Sequence, residues 1–155
     1  MGKNDSLMAR FGGKEQPAAK RNAGLAPRRT YKVLAVDDEA TARAVIEDVL
    51  TDEGYAVRTV GSYQDWEQAW AGGPAPDLVI LDVNLAERRG GYEVLRALRK
   101  QNTSIPVLML SARNTTTDAV FAQANGASAY VSKVEGEFDH DTRGLVATVR
   151  RLLTA

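Results

Sequence analysis

The sequence predicts an α/β fold: a doubly wound parallel sheet covered by helices on both faces. Three observations predict it. Short apolar runs rich in branched side chains recur, among them Val33-Leu34-Ala35-Val36 and Leu78-Val79-Ile80-Leu81. Such runs read as strands buried on both sides. Between them lie stretches of helical length with apolar residues three and four apart. The two quoted runs also end in acids, the first in Asp37-Asp38 and the second in Asp82. Charge is costly inside a sheet, so acids at strand ends predict a site at the carboxyl edge, where open α/β sheets bind ligands.

The first strand is expected over residues 31–37 and a helix over 40–52, with Val45, Ile46, Val49 and Leu50 on one face. Gly54 is suited to stop that helix. Residues 55–60 alternate as a shorter strand. Ser62 can cap a helix that ends at Gly72-Gly73-Pro74. In that helix Trp66 and Trp70 lie on one face and read as core. A third strand is expected over 77–83 and a helix over 92–100, with Val94, Leu95 and Leu98 inward. The fourth strand, 106–111, carries Pro106 at its start, where no ladder donor is lost. Thr116 or Thr117 opens the next helix and Asn125-Gly126 ends it. A fifth strand over 127–132 and a last helix over 139–153 complete five βα units. Leu145, Val146, Val149, Leu152 and Leu153 form the stripe of that last helix. Crossovers of helical length imply parallel neighbours and right-handed connections.

The chain has 155 residues, enough for one domain with a real core. It has no cysteine, which excludes disulfides and thiolate metal sites. Its single histidine, His140, argues against a histidine-based zinc site or a Ser-His-Asp triad; it stands among Glu135, Glu137, Asp139 and Asp141 and reads as a solvated helix start. No apolar run approaches the ~20 residues that cross a bilayer. The start of the chain lacks a signal-peptide type of stretch, so a cytoplasmic location is expected. A net charge of zero hides an asymmetry: residues 1–29 hold seven basic groups and two acids, and the remainder carries the opposite excess. Gly12-Gly13, Pro17, Gly24 and Pro27, with few branched residues, mark 1–29 as a basic arm expected to be disordered, with one helical turn at most over 7–11. The folded domain is expected over 30–155.

Strand one ends in Asp37-Asp38, strand three in Asp82, strand four in Ser111 and strand five in Lys133. The predicted fold brings them to one edge. Carboxylates, a hydroxyl and an ammonium suit Mg²⁺, which takes hard oxygen ligands, together with a phosphoryl group. Asp37 or Asp38 also stands where it can cap the helix that follows.

Here the chain resembles the receiver domain of two-component response regulators, chemotaxis-regulator-like, over about residues 31–154. The resemblance rests on Val36-Asp37-Asp38-Glu39, Leu78-Val79-Ile80-Leu81-Asp82, Leu110-Ser111-Ala112, and Gly126-Ala127-Ser128-Ala129-Tyr130-Val131-Ser132-Lys133. It implies a flavodoxin-like strand order 2-1-3-4-5. It also implies that Asp82 is the phosphoacceptor for a histidine kinase or phosphotransfer protein. Asp37, Asp38, Asp82 and the backbone carbonyl of Asn84 would hold Mg²⁺, and Lys133 would pair with the phosphoryl group. Ser111 and Tyr130 stand at the switch positions. The surface of the fourth helix, fifth strand and fifth helix would then dock a downstream protein or a second copy of the chain. The resemblance implies a signalling module rather than an enzyme, with its own phosphotransfer and dephosphorylation as its only chemistry.

The chain departs from the family in two places. Val134 follows Lys133 where proline is usual, which predicts a trans bond there. The stretch 84–91 lacks a frequent proline at Ala86 and reads one residue longer through Arg88-Arg89-Gly90-Gly91. Asn84 and Arg113, each two residues beyond a site residue, are placed to affect attack by water. The basic arm suits an anionic partner, but it is too short for a DNA-binding motif and direct DNA binding is not expected. No output domain is visible after Leu153, so a single-domain regulator that acts by docking is expected. Two alternatives stay open. One is a pseudo-receiver that works without phosphorylation. The other is a Mg²⁺-dependent phosphatase of the haloacid dehalogenase type, although its second acid would fall at Asn84.

Overall fold

The computed structural model describes residues 29–83, 85, 90–101, 103–111, 116–133 and 142–154. Ten elements alternate in order: β1 (Lys32–Val36), α1 (Ala40–Asp52), β2 (Ala56–Val60), α2 (Tyr63–Gly72), β3 (Leu78–Asp82), α3 (Gly91–Lys100), β4 (Val107–Ser111), α4 (Thr116–Ala124), β5 (Ala129–Ser132) and α5 (Arg143–Thr154). The strands form one parallel sheet in the order β2-β1-β3-β4-β5, as the sequence predicts.

Side chains that alternate along the central strands divide the core in two. Leu34, Val36, Val79, Leu81, Val107 and Met109 pack with Trp66, Leu95 and Leu98 on the face covered by α2 and α3. Val33, Ala35, Leu78, Ile80, Leu108 and Leu110 pack with Ile46, Leu50, Leu145 and Val149 on the face of α1 and α5. Since β1, β3 and β4 serve both clusters, they are apolar in nearly every position. Trp66 is core, as predicted. Trp70 stacks beside it and donates its Nε1–H to Gln101 Oε1.

The helix ends follow from local chemistry. Ser62 Oγ accepts the Asp65 N–H and caps α2. At the end of α1 the N–H of Tyr55 donates to Leu50 O and that of Gly54 to Thr51 O; Gly54 has φ +96°. The end of α4 repeats this, with Ala127 donating to Ala122 O, Gly126 to Gln123 O, and Gly126 at φ +103°. Both are Schellman closures, in which glycine takes the left-handed conformation without a Cβ penalty.

Three expectations need correction. The last helix starts at Arg143, not at residue 139: the Val146 N–H donates to Thr142 O, which makes Thr142 the flanking residue. Strand five starts at Ala129, because Ala127 and Ser128 are engaged in closing α4 and meeting Val107. Neither Asp37 nor Asp38 caps α1; Glu39 holds the cap position without a side-chain bond. Residues 1–28 of the predicted arm 1–29, most of the long loop (84 and 86–89), Arg113, the Lys133-Val134 junction and His140 lie outside the described residues. No described helix is long and apolar enough to cross a membrane.

At the amino edge of the sheet, Arg29 pairs with Asp77 and lies over the Tyr31 ring. The other Asp77 oxygen accepts the Lys32 N–H, which fixes where β1 begins.

Candidate functional site

The register Val36↔Leu81 puts Asp37 and Asp82 side by side just past the carboxyl edge. Ser111 and Ser132 pair at the ends of β4 and β5, and the Lys133 N–H donates to Ser111 O, which directs the chain toward the same edge. The sheet thus gathers the predicted residues. Asp37, Asp82 and Ser111 are buried, and Asp38 is half-buried. Asp37, Asp38 and Asp82 each offer a carboxylate oxygen, and these oxygens lie within 4.8 Å of one another.

Lys133 supplies the positive charge. Its Nζ lies 2.8 Å from Asp37 Oδ2, 3.0 Å from Glu39 Oε1 and 3.4 Å from Asp82 Oδ2. Burial alone would pull its pKa down, but the hydrogen bond and charge of Asp37, the charge of Asp82 and the Glu39 hydrogen bond outweigh it and hold the pKa above the ordinary lysine value. The ammonium stays charged; among the described residues it is the one cation paired with Asp37, Asp82 and Glu39, and Asp38 adds a further acid to the cluster. Buried negative charge in excess needs further compensation. An all-oxygen donor set with that excess fits a hard divalent cation such as Mg²⁺.

Three residues of the site received no role from the sequence, although Glu39 stands in the quoted strand-one motif. Glu39 is the third partner of Lys133, and its own N–H donates to Asp37 Oδ1 at 2.9 Å. Arg43, from the first turn of α1, donates Nη1–H to the Asp37 carbonyl at 2.7 Å. Gly91 opens α3 against the end of β3: a Cβ there would stand 2.2 Å from the Asp82 carbonyl oxygen. The doubled Gly90-Gly91 was the available sign of that approach, although it reads equally as a loosened loop.

Tyr130 is half-buried and packs against the α2–α3 face. Its register partner is Met109, two residues before Ser111, so Ser111 and Tyr130 share one face of the sheet. Next to it, Tyr92 meets Phe121 edge to face, with centroids 5.0 Å apart. Val120 and Phe121 of α4 are 59% and 49% exposed.

Residues 33–140 match the response regulator receiver domain. The chain belongs to this family. Among curated relatives, the receiver is 39% identical over 130 residues to the alkaline phosphatase synthesis transcriptional regulatory protein SphR of Synechococcus elongatus, covering 79% of this chain and 48% of that one. It is also 39% identical over 102 residues to the transcriptional regulatory protein TcrA of Mycobacterium tuberculosis, with 66% and 40% covered. The receiver therefore spans less than half the length of these two relatives. Among solved structures, the chemotaxis protein CheY4 of Vibrio cholerae aligns with TM-score 0.69 and 28% identity, over 81% of this chain and all of that one. NtrX of Brucella abortus aligns with TM-score 0.71 and 30% identity, over 81% and 27%. The fold is the flavodoxin-like fold of such receivers.

Proposed function

We propose that the receiver is switched by phosphorylation of Asp82, with a histidine kinase or phosphotransfer protein as donor. The observation that carries this is the meeting of Asp37, Asp38, Asp82 and Lys133 at one edge, with the ammonium paired to Asp37 and Asp82. An Asp82 oxygen attacks the phosphoryl phosphorus of a phosphohistidine. A P–O bond forms, the P–N bond breaks, and the imidazole nitrogen keeps the electron pair. Asp37, Asp38, Asp82 and the backbone carbonyl of Asn84 would hold Mg²⁺. When bound, the ion offsets charge on the phosphoryl oxygens. Lys133 keeps Asp82 ionised and stabilises the transferred group from the other side.

The phosphoryl group then draws Ser111 inward and leaves Tyr130 room to turn toward the core. This is a population shift between two packings, biased by contacts made in one of them. The surface built by α4, β5 and α5 changes with it, and the exposed Val120 and Phe121 supply apolar area for a protein partner or a second copy. We place the receiver in 30–155 and treat 1–29 as a basic arm outside it, suited to an anionic partner. A cytoplasmic module that acts by docking follows from this reading, as a single-domain regulator or as the receiver part of a longer one.

The test is phosphotransfer from a panel of purified histidine kinases with Mg²⁺. Wild-type protein is expected to take label from at least one kinase, and Asp82→Asn from none. Chelating the metal is expected to stop transfer. Equal labelling of Asp82→Asn would refute the assignment.

A further inference from the structure

The Lys133 ammonium has three hydrogens, and three carboxylate oxygens surround it, from Asp37, Glu39 and Asp82. Two of its donors hydrogen-bond Asp37 and Glu39, and the third faces Asp82 Oδ2 at 3.4 Å. A phosphoryl group bonded to Asp82 takes over that third donor, so a second phosphoryl hydrogen bond from Lys133 forms only where Asp37 or Glu39 leaves. The Asp37 side chain is 1% exposed and would be stranded as a buried charge. Glu39 is 63% exposed and returns to water without that penalty. Nor does it belong to the metal set: among the described residues, the acids whose oxygens cluster within 4.8 Å are Asp37, Asp38 and Asp82. Its backbone is fixed by Asp37 Oδ1, and its carbonyl accepts the Arg43 N–H, so only the side chain needs to move.

From this geometry we infer that Glu39 is a positioning residue, a placeholder anion that occupies one donor of Lys133 and is exchanged for a second phosphoryl oxygen. Glu39 thereby opposes phosphorylation in the resting state. The inference rests on the Asp82 phosphoacceptor reading.

Beryllofluoride, a phosphoryl mimic, tests it in the full chain with Mg²⁺, with bound fluoride read by ¹⁹F NMR. Glu39→Gln removes the charge. Glu39→Asp keeps the charge but shortens the reach by one methylene. Both are expected to lower the half-saturating beryllofluoride concentration by about two- to fivefold, the range of an exposed ion pair. In a Lys133→Met background, Glu39→Gln is expected to have no effect. Tighter binding in Glu39→Gln alone would point to general charge and overturn the inference, as would no change in either single variant. The single variants decide the matter even where Lys133→Met does not fold. No binding by wild type would instead sink the phosphoacceptor reading, and the inference with it.

Discussion

Gly91 sits where no side chain fits. Its missing Cβ lets α3 begin against the Asp82 carbonyl, and so fixes the Asp82 backbone from behind. Gly91→Ala is expected to cost on the order of 3 kcal/mol, as overpacking at a rigid contact does, measured by urea unfolding. It should also weaken Mg²⁺ binding by calorimetry, because Asp82 must shift. A variant of unchanged stability and metal affinity would show that α3 yields freely. At this scale the sequence was legible where chemistry confines a residue to one place: Asp37, Asp82, Ser111 and Lys133 all stand at strand ends, and the register brings them together. Glu39 and Arg43 were not legible. Each is an ordinary charged residue at the start of a helix, and only the folded crossing of β1, α1 and β5 gives it a partner.

Between elements, α3, α4 and β5 meet around Tyr92. Burial, then the neighbouring Tyr130 and Asp118, raise the Tyr92 pKa above the ordinary tyrosine value. A raised pKa means that the fold holds this proton more tightly than the unfolded chain does. The stabilisation is therefore complete below the ordinary tyrosine range and is lost as pH rises through the folded value. In an alkaline titration followed by tyrosinate absorbance, Tyr92 is expected to contribute a late-ionising phase, and Tyr92→Phe should remove that phase. Asp118→Asn should bring it earlier. Helix interiors and strand centres were readable from periodicity, but the ends of α5 and β5 were not. Those ends depend on which backbone N–H meets which carbonyl, as at Thr142 and Ser128, and the competing partners are distant in sequence.

Across the whole molecule, two apolar clusters share three strands, so neither face can melt while the other survives. Leu95→Ala on one face and Ile46→Ala on the other are each expected to cost about 2–5 kcal/mol, with a single urea transition in both. Two separated transitions would refute the shared core. Layering was readable because alternating units of this length leave few topologies, whereas the strand order came from the resemblance to receivers. The directions of the chain carry one more consequence. Arg29 and Asp77 mark the edge where β1 begins, and Arg150, near the end of α5, pairs with Glu53 just past the end of α1 at that same edge. Both exits from the domain thus lie roughly 15 Å of strand away from the acids. A tether at either exit, to a surface, a tag or another module, leaves the acidic pocket facing outward and open to a visiting protein.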